Sequence, residues 1–468
     1  MEFILSKLPK NLFVRNASVL VGGTLMAQIL LVIASPMLTR LYTPEDFGLL
    51  AVYVSMLAIT LLLASLRYDL AIPLPKNDVE AADIAVLSLI LVVITSFLVA
   101  IIVLVSRENI AEILDLPELV SHLWLLPLGT LFGGMYNVFN RWSVRTKHFG
   151  LIASTNIRKT FALLVIQLSA FKFGGIALLL GQVISHGVGV LRLARPSFND
   201  VSLNGIRDAA LRYKRFPFYS SPAGLARVLG VELPSFVLTA AFSPAAAGLY
   251  ALTKRVCGVP AAVIGGAVSQ VFVASAADAY RDGTLGALVR TFHAKMAYIG
   301  LPFMLLLMML GPKLFGIIFG SAWIQAGEFA CWMAPWLYLG FVSSPISTVT
   351  AIMELQKQGL VFHLVLLAFR ICALFIGVYI GDVLIAVIIF ATVNAIWRLV
   401  FLVWLYVVSG NTVTSFLADT SAALALACLC VAPVFIALTL YGQIWFYALM
   451  VSLVFITALY WQLLKQAY

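Results

Sequence analysis

Eight charged residues interrupt long apolar stretches of this chain: Arg67, Asp69, Arg227, Glu232, Lys254, Arg255, Arg370 and Arg398. A charge near the middle of a membrane costs about 2.5–3.5 kcal/mol on insertion scales, so each one calls for a reason. Six are cations and two are anions. Arg offers a planar fork that grips a phosphate through two hydrogen bonds, and Lys adds a point charge. An excess of such cations suits an anionic, phosphate-bearing ligand. Arg67, Arg227, Lys254, Arg255 and Arg370 are therefore the candidate substrate-binding residues, and Asp69 and Glu232 the candidates for ion pairing or coupling. Arg67 and Arg398 also lie close enough to a span end to snorkel. Asp69 and Glu232 point about 200° and 140° away from Arg67 and Arg227 on a helix, so each acid is expected to pair with another element.

Other chemistry finds little support. No nucleophile elbow, phosphate loop, His-Glu-x-x-His or paired-carboxylate motif occurs, and no cysteine or histidine spacing suits a metal. No catalysis and no cofactor are expected. His186, near the middle of an apolar stretch, is suited either to bonding a neighbouring backbone or to carrying a coupling proton. Asn16, Gln28, Tyr53, Tyr68, Asn137, Asn140 and Asn156 offer polar and aromatic faces to sugars, although amides and aromatics in helix bundles serve packing as well.

The elements that position these residues follow from composition. The chain has 468 residues, of which 62% are hydrophobic and 11% charged. Its mean hydropathy is +1.04. Soluble domains carry roughly 25% charged residues, so this is a helical membrane protein. An outer-membrane barrel would alternate polar and apolar positions instead. The net charge of +10 does not signal nucleic acid, because the basic residues sit in short gaps where topology places them. The first sixteen residues lead directly into an apolar span with no convincing cleavage site, so that span is expected to be kept as an anchor.

Hydropathy windows give about fourteen spans, near 17–38, 47–72, 83–105, 122–140, 151–171, 175–193, 217–242, 246–277, 292–311, 328–350, 360–380, 383–407, 418–440 and 443–464, with twelve as the rival count. The eighth is too long for a straight crossing, so it projects into the cytoplasm or breaks near Pro260. Twenty basic residues fall to one set of gaps, Arg158 and Lys159 among them, against Arg40, Arg107, Lys172 and Lys313 on the other. That bias predicts a multi-pass protein with both termini in the cytoplasm.

One segment occurs twice. Leu38–Ala51 returns as Leu238–Ala251, with Leu, Thr, Pro, Gly, Leu and Ala in register and Tyr42/Phe242 and Thr43/Ser243 as conservative exchanges. The copies lie six spans apart, and an even offset gives the two halves the same orientation, a transporter architecture. The expected organisation is an N-terminal lobe over 1–195, a basic cytoplasmic connector over 196–216, a second six-helix lobe over 217–407 and a C-terminal helix pair over 408–468.

The segments Leu38–Gly48, Leu66–Pro75, Arg215–Tyr219 and Ala247–Arg255, continuing to Gln270–Phe272, resemble the Wzx-type oligosaccharide flippases. These belong to the superfamily that includes the multidrug and toxic compound extrusion transporters. The resemblance covers the first and central thirds of the chain; the last 150 residues match mainly in hydropathy. It implies two six-helix lobes forming a V around a cationic cavity, alternating access, and a location in the bacterial inner membrane. It also implies a polyprenyl-diphosphate-linked oligosaccharide as cargo, moved to the periplasmic leaflet for O-antigen, capsule or exopolysaccharide synthesis, beside membrane lipids and polysaccharide polymerase machinery as partners. Arg67, Asp69 and Arg255 fall within the matching stretches. The related lipid II flippases carry basic residues early in the first span; this chain has none there after Arg15, which argues against a peptidoglycan precursor. A cation-drug antiporter of the same superfamily is the nearest rival, though it should offer more intramembrane carboxylates. A membrane polymerase or ligase needs a larger outer loop than any present.

Overall fold

The computed structural model describes residues 12–194, 201–441 and 444–465. Lys7, Lys10, Arg195 and the first part of the expected connector lie outside these residues. Fourteen helices of 19 residues or more follow one another: α1 Leu12–Leu41, α2 Pro44–Leu63, α3 Asp78–Ile113, α4 Leu125–Arg145, α5 Phe149–Ser169 and α6 Gly175–Leu193 precede the short α7 Leu203–Arg212. Then come α8 Ser221–Ala241, α9 Pro244–Arg281, α10 Leu285–Phe319, α11 Ile324–Ile346, α12 Gln356–Ile380, α13 Val383–Val408, α14 Val413–Ile436 and α15 Trp445–Lys465. No strand occurs among the described residues. Eleven helical segments are long and apolar enough to cross a membrane by length and composition. The fold is an all-α, polytopic one. Helix α9 runs unbroken through residue 260 for 38 residues, about 57 Å at 1.5 Å per residue, well beyond the ~30 Å of a hydrocarbon core.

The repeated segment has a physical reason. In the first copy Thr43 caps α2: its hydroxyl accepts from the Asp46 amide (3.3 Å), and Asp46 accepts from the Thr43 amide (2.9 Å). Pro44 occupies the first helical position, where its missing N–H costs nothing. In the second copy Ser243 accepts from the Ala246 amide (3.1 Å) ahead of Pro244, so the cap persists without the return bond. Gly48 and Gly248 serve a crossing of the two copies. A Cβ on Gly48 would lie 1.9 Å from the Pro244 carbonyl oxygen, and one on Gly248 would lie 1.9 Å from that of Pro44. Only hydrogen fits at either position.

The chain forms two compact units, Met1–Leu252 and Thr253–Tyr468, that part inside α9. In the first, α4 packs on α3 and α6, α5 packs on α1 and α6, and α8 lies against α2. In the second, α11 packs on α10 and α13, and α12 on α13, repeating three of those pairings. Helix α7 is fastened to the start of α3. Arg212 pairs with Glu80 at 2.8 Å, Tyr213 donates to the same carboxylate, and Asp83 accepts from the Ser202 amide. Burial and the Glu80 bond push the Tyr213 hydroxyl up from its ordinary range. The last two helices close on α10 through Leu306, Leu310, Val431, Val434, Ile456 and neighbours. Arg290 holds Asp419 with two hydrogen bonds of 2.8 and 3.0 Å.

Candidate functional site

The first unit gathers charge at the end of α2. The helix stops at Leu63, not near residue 72 as hydropathy suggested, and Arg67 and Asp69 sit in the tight turn that follows. Leu66 (φ 47°) and Arg67 (φ 66°) are both left-handed, a conformation that costs about 1 kcal/mol or more for each non-glycine residue. Surrounding contacts hold the turn in place. Ser65 donates to Asp69 at 2.7 Å, Tyr68 donates to the Ala210 carbonyl of α7 at 2.9 Å, and Tyr68, Ala71 and Ile72 pack with Ile84, Val92 and Val138.

Two guanidinium groups, those of Arg67 and Arg141, lie at this turn, and a third, that of Arg227, acts on Arg67 by repulsion. Arg141, from α4, reaches Asp69 at 3.6 Å. Arg67 is half-buried, and its Nε has no hydrogen-bond partner among the described residues. Burial disfavours the charged form of Arg67; Asp69 offsets this, while Arg227 and Arg141 add to it by repulsion. A guanidinium nevertheless stays protonated, so the charge persists. Arg67 and Arg141 beside one carboxylate leave a surplus of one positive charge, to which Arg227, exposed on α8, adds a second. Glu232, one turn further along α8, accepts from Ser55 at 3.0 Å.

The second unit holds its cations differently. The Arg370 Nε donates to the Asn394 side-chain oxygen at 2.7 Å, and its guanidinium lies 6.0 Å from the Phe390 ring centre. Asn394 is fully buried and donates in turn to the Phe390 carbonyl. Arg398 donates to the Ser343 hydroxyl at 3.3 Å and leaves its Nε buried without a partner among the described residues. Arg255 and Lys254 are half-buried on α9, and no carboxylate acts on Arg255 among the described residues.

The structure thus brings Arg67, Arg227 and Asp69 together in one unit, while Lys254, Arg255 and Arg370 lie on α9 and α12 of the other. Two residues were misplaced by sequence reasoning. Arg141 was assigned to a loop and proves to be the partner of Asp69. Lys159 was counted among the gap cations, although its own span runs on both sides of it; it lies at the middle of α5. Counting charges inside each helix, instead of between helices, finds both.

A family model described as "Polysaccharide biosynthesis protein" matches residues 37–328. Among solved structures, the lipid II flippase MurJ in its inward closed conformation shares the fold with a TM-score of 0.73 at 11% identity, covering 96% of this chain and 99% of that one. An inward-facing multidrug resistance transporter of the MATE family superposes with a TM-score of 0.63 at 18% identity, covering 84% and 94%. A transporter of the same superfamily from Pyrococcus furiosus, described as having a binding pocket of reverse polarity, gives 0.57 at 15% identity, covering 84% and 95%. No curated protein matches the chain in sequence.

Proposed function

The chain belongs to the polysaccharide biosynthesis protein family, and from that premise we propose that it flips polyprenyl-diphosphate-linked oligosaccharides across the inner membrane by alternating access. The observation that supports this reading is the gathering of Arg67 and Arg141 at Asp69, with Arg227 acting on Arg67 by repulsion. Three guanidiniums with one carboxylate repel one another until an anion joins them. A diphosphate diester carries one negative charge on each phosphate, enough to balance the surplus, and presents oxygens in the geometry a guanidinium fork grips. Binding then relieves repulsion that the empty cluster must bear, which makes the loaded and unloaded states differ in free energy. Such binding shifts a conformational equilibrium when one conformation holds these guanidiniums together and the other parts them. Within the second unit, Lys254, Arg255 and Arg370 are assigned to anion binding as well, and within the first Glu232 is assigned to ion pairing on α8. The positive-inside bias supports cytoplasmic termini, with flipping toward the periplasm.

The test is reconstitution with a fluorescent undecaprenyl-diphosphate oligosaccharide. Wild type should flip the lipid, and Arg67→Ala and Arg227→Ala should lose flipping by about 30- to 100-fold, the worth of a charge-assisted bond of 2–3 kcal/mol. Variants that fold and flip as wild type does would remove the cluster from the mechanism. A protein that ignores the lipid and exports cationic dyes is instead a drug antiporter, the reading that the MATE-like fold favours.

A further inference from the structure

Away from the cluster at Asp69, a second group of ionisable side chains lies inside the first unit. Lys159, at mid-length of α5, places its amine 3.4 Å from His186 Nδ1 on α6 and 3.4 Å from the centre of the Tyr136 ring on α4. The Tyr136 hydroxyl donates to Asn156 (2.8 Å), whose amide donates to Thr24 on α1 (3.2 Å). A Cβ on Gly189 would strike both Tyr136 and Lys159, so the lysine stem is confined.

The surrounding charges leave this pair alone. Between Val19 and Thr39 helix α1 carries no titratable side chain. From α2, Asp46 lies against Gly175 at the start of α6, about 16 Å along the helix from His186. From α4, Arg141 and Arg145 are engaged with Asp69 and Asp78. On α5 itself Arg158 is exposed, and on α6 Arg192 follows six residues after His186. No carboxylate meets Lys159 or His186 among the described residues. A lone structural lysine would be expected to carry a counter-ion at such depth; here a second base and a π-face stand in its place.

We propose that Lys159 and His186 form a proton-binding site that drives transport. It rests on the flippase reading only for what is carried. In the geometry described, the ammonium donates to the imidazole and faces the Tyr136 ring, and the pair holds one proton. A second proton, taken from water on one side of the membrane, puts two like charges in contact and is accommodated when α5 and α6 move apart. It leaves to water on the other side when they close again. Acid therefore favours the parted arrangement, and parting favours protonation by the same factor.

The experiment uses the full chain in nanodiscs with 15N-labelled histidine, His186 being identified among the five histidines by its loss in His186→Gln. His186 should need about tenfold more acid for half-protonation in wild type than in Lys159→Met, and Lys159→Arg should behave as wild type. In proteoliposomes a pH gradient should speed flipping of the diphosphate-linked oligosaccharide and move protons with it in wild type. His186→Gln should flip without responding to the gradient. Equal proton affinity in wild type and Lys159→Met overturns the site. So does lipid flipping that is indifferent to the gradient in wild type. If His186 titrates as expected while no lipid flips, the cargo assignment fails and the proton site stands.

Discussion

The two units solve the same electrostatic problem with different partners. In the first, three cations are paired with carboxylates: Arg141 with Asp69, Arg145 with Asp78 and Arg212 with Glu80. In the second, the mid-helix cations Arg370 and Arg398 rest on an amide and a hydroxyl. A carboxylate cancels charge, so the surplus in the first unit is set by counting. An amide or a hydroxyl orients a charge and does not cancel it, whereas Arg290, nearer the surface of the second unit, has the carboxylate of Asp419. The first arrangement lends itself to exchange of a bound anion for an internal one. The second holds its field fixed.

The contrast can be broken first at Asn394. Replacing it by Leu removes the acceptor of Arg370 and leaves a buried cation short of a bond, which should lower stability by about 2–3 kcal/mol. Ser65→Ala, which removes only a neutral donor to Asp69, should cost about 1 kcal/mol. Chemical unfolding in detergent of both variants measures the gap, and equal losses would show that the units do not differ in this way. Asn394→Asp sharpens the comparison by placing a carboxylate beside Arg370. Thermal stability should stay within about 1 kcal/mol of wild type, because a charged partner replaces a neutral one. Flipping should fall by about tenfold as the new carboxylate offsets the charge of Arg370. Retained flipping would show that Arg370 has no electrostatic share in transport. The smallest effect belongs to the turn. Leu66→Gly should stabilise the protein by about 0.5–1 kcal/mol by relieving a left-handed side chain. Thermal denaturation reads this, and a loss would mean that the Leu66 side chain matters more than the strain.

Much of the fold is legible in the hydropathy pattern, because crossing a bilayer demands long apolar helices whatever their packing. The repeat is legible because Thr43, Pro44 and Gly48 each answer a local demand, a cap, a first turn and a close approach, that Ser243, Pro244 and Gly248 answer again. The turn over 64–72 is not legible. Arg67 and Asp69 mark a cost in lipid but not a change of conformation, and nothing marks Leu66 or Arg67 as left-handed when neither is glycine. Candidate charges were found by their cost in lipid, which identifies Arg67 and Asp69 but is silent on Arg141, seventy-two positions after Asp69. Lys159 and His186 were likewise visible one at a time; their contact depends on how α5 and α6 pack, and no local pattern encodes that.

The crossing of the two repeat copies has a consequence for heredity. Each glycine is confined by a backbone oxygen of the other copy, Gly48 by Pro244 and Gly248 by Pro44. A clash with a side chain can be cured by a second mutation that shortens that side chain. A clash with a carbonyl cannot, because every residue type carries one. So while the crossing is kept, neither position has a compensating partner to drift with. The two copies are then free to differ at Glu45, Asp46 and Phe47 against Ala245, Ala246 and Ala247, yet must stay identical at the glycines.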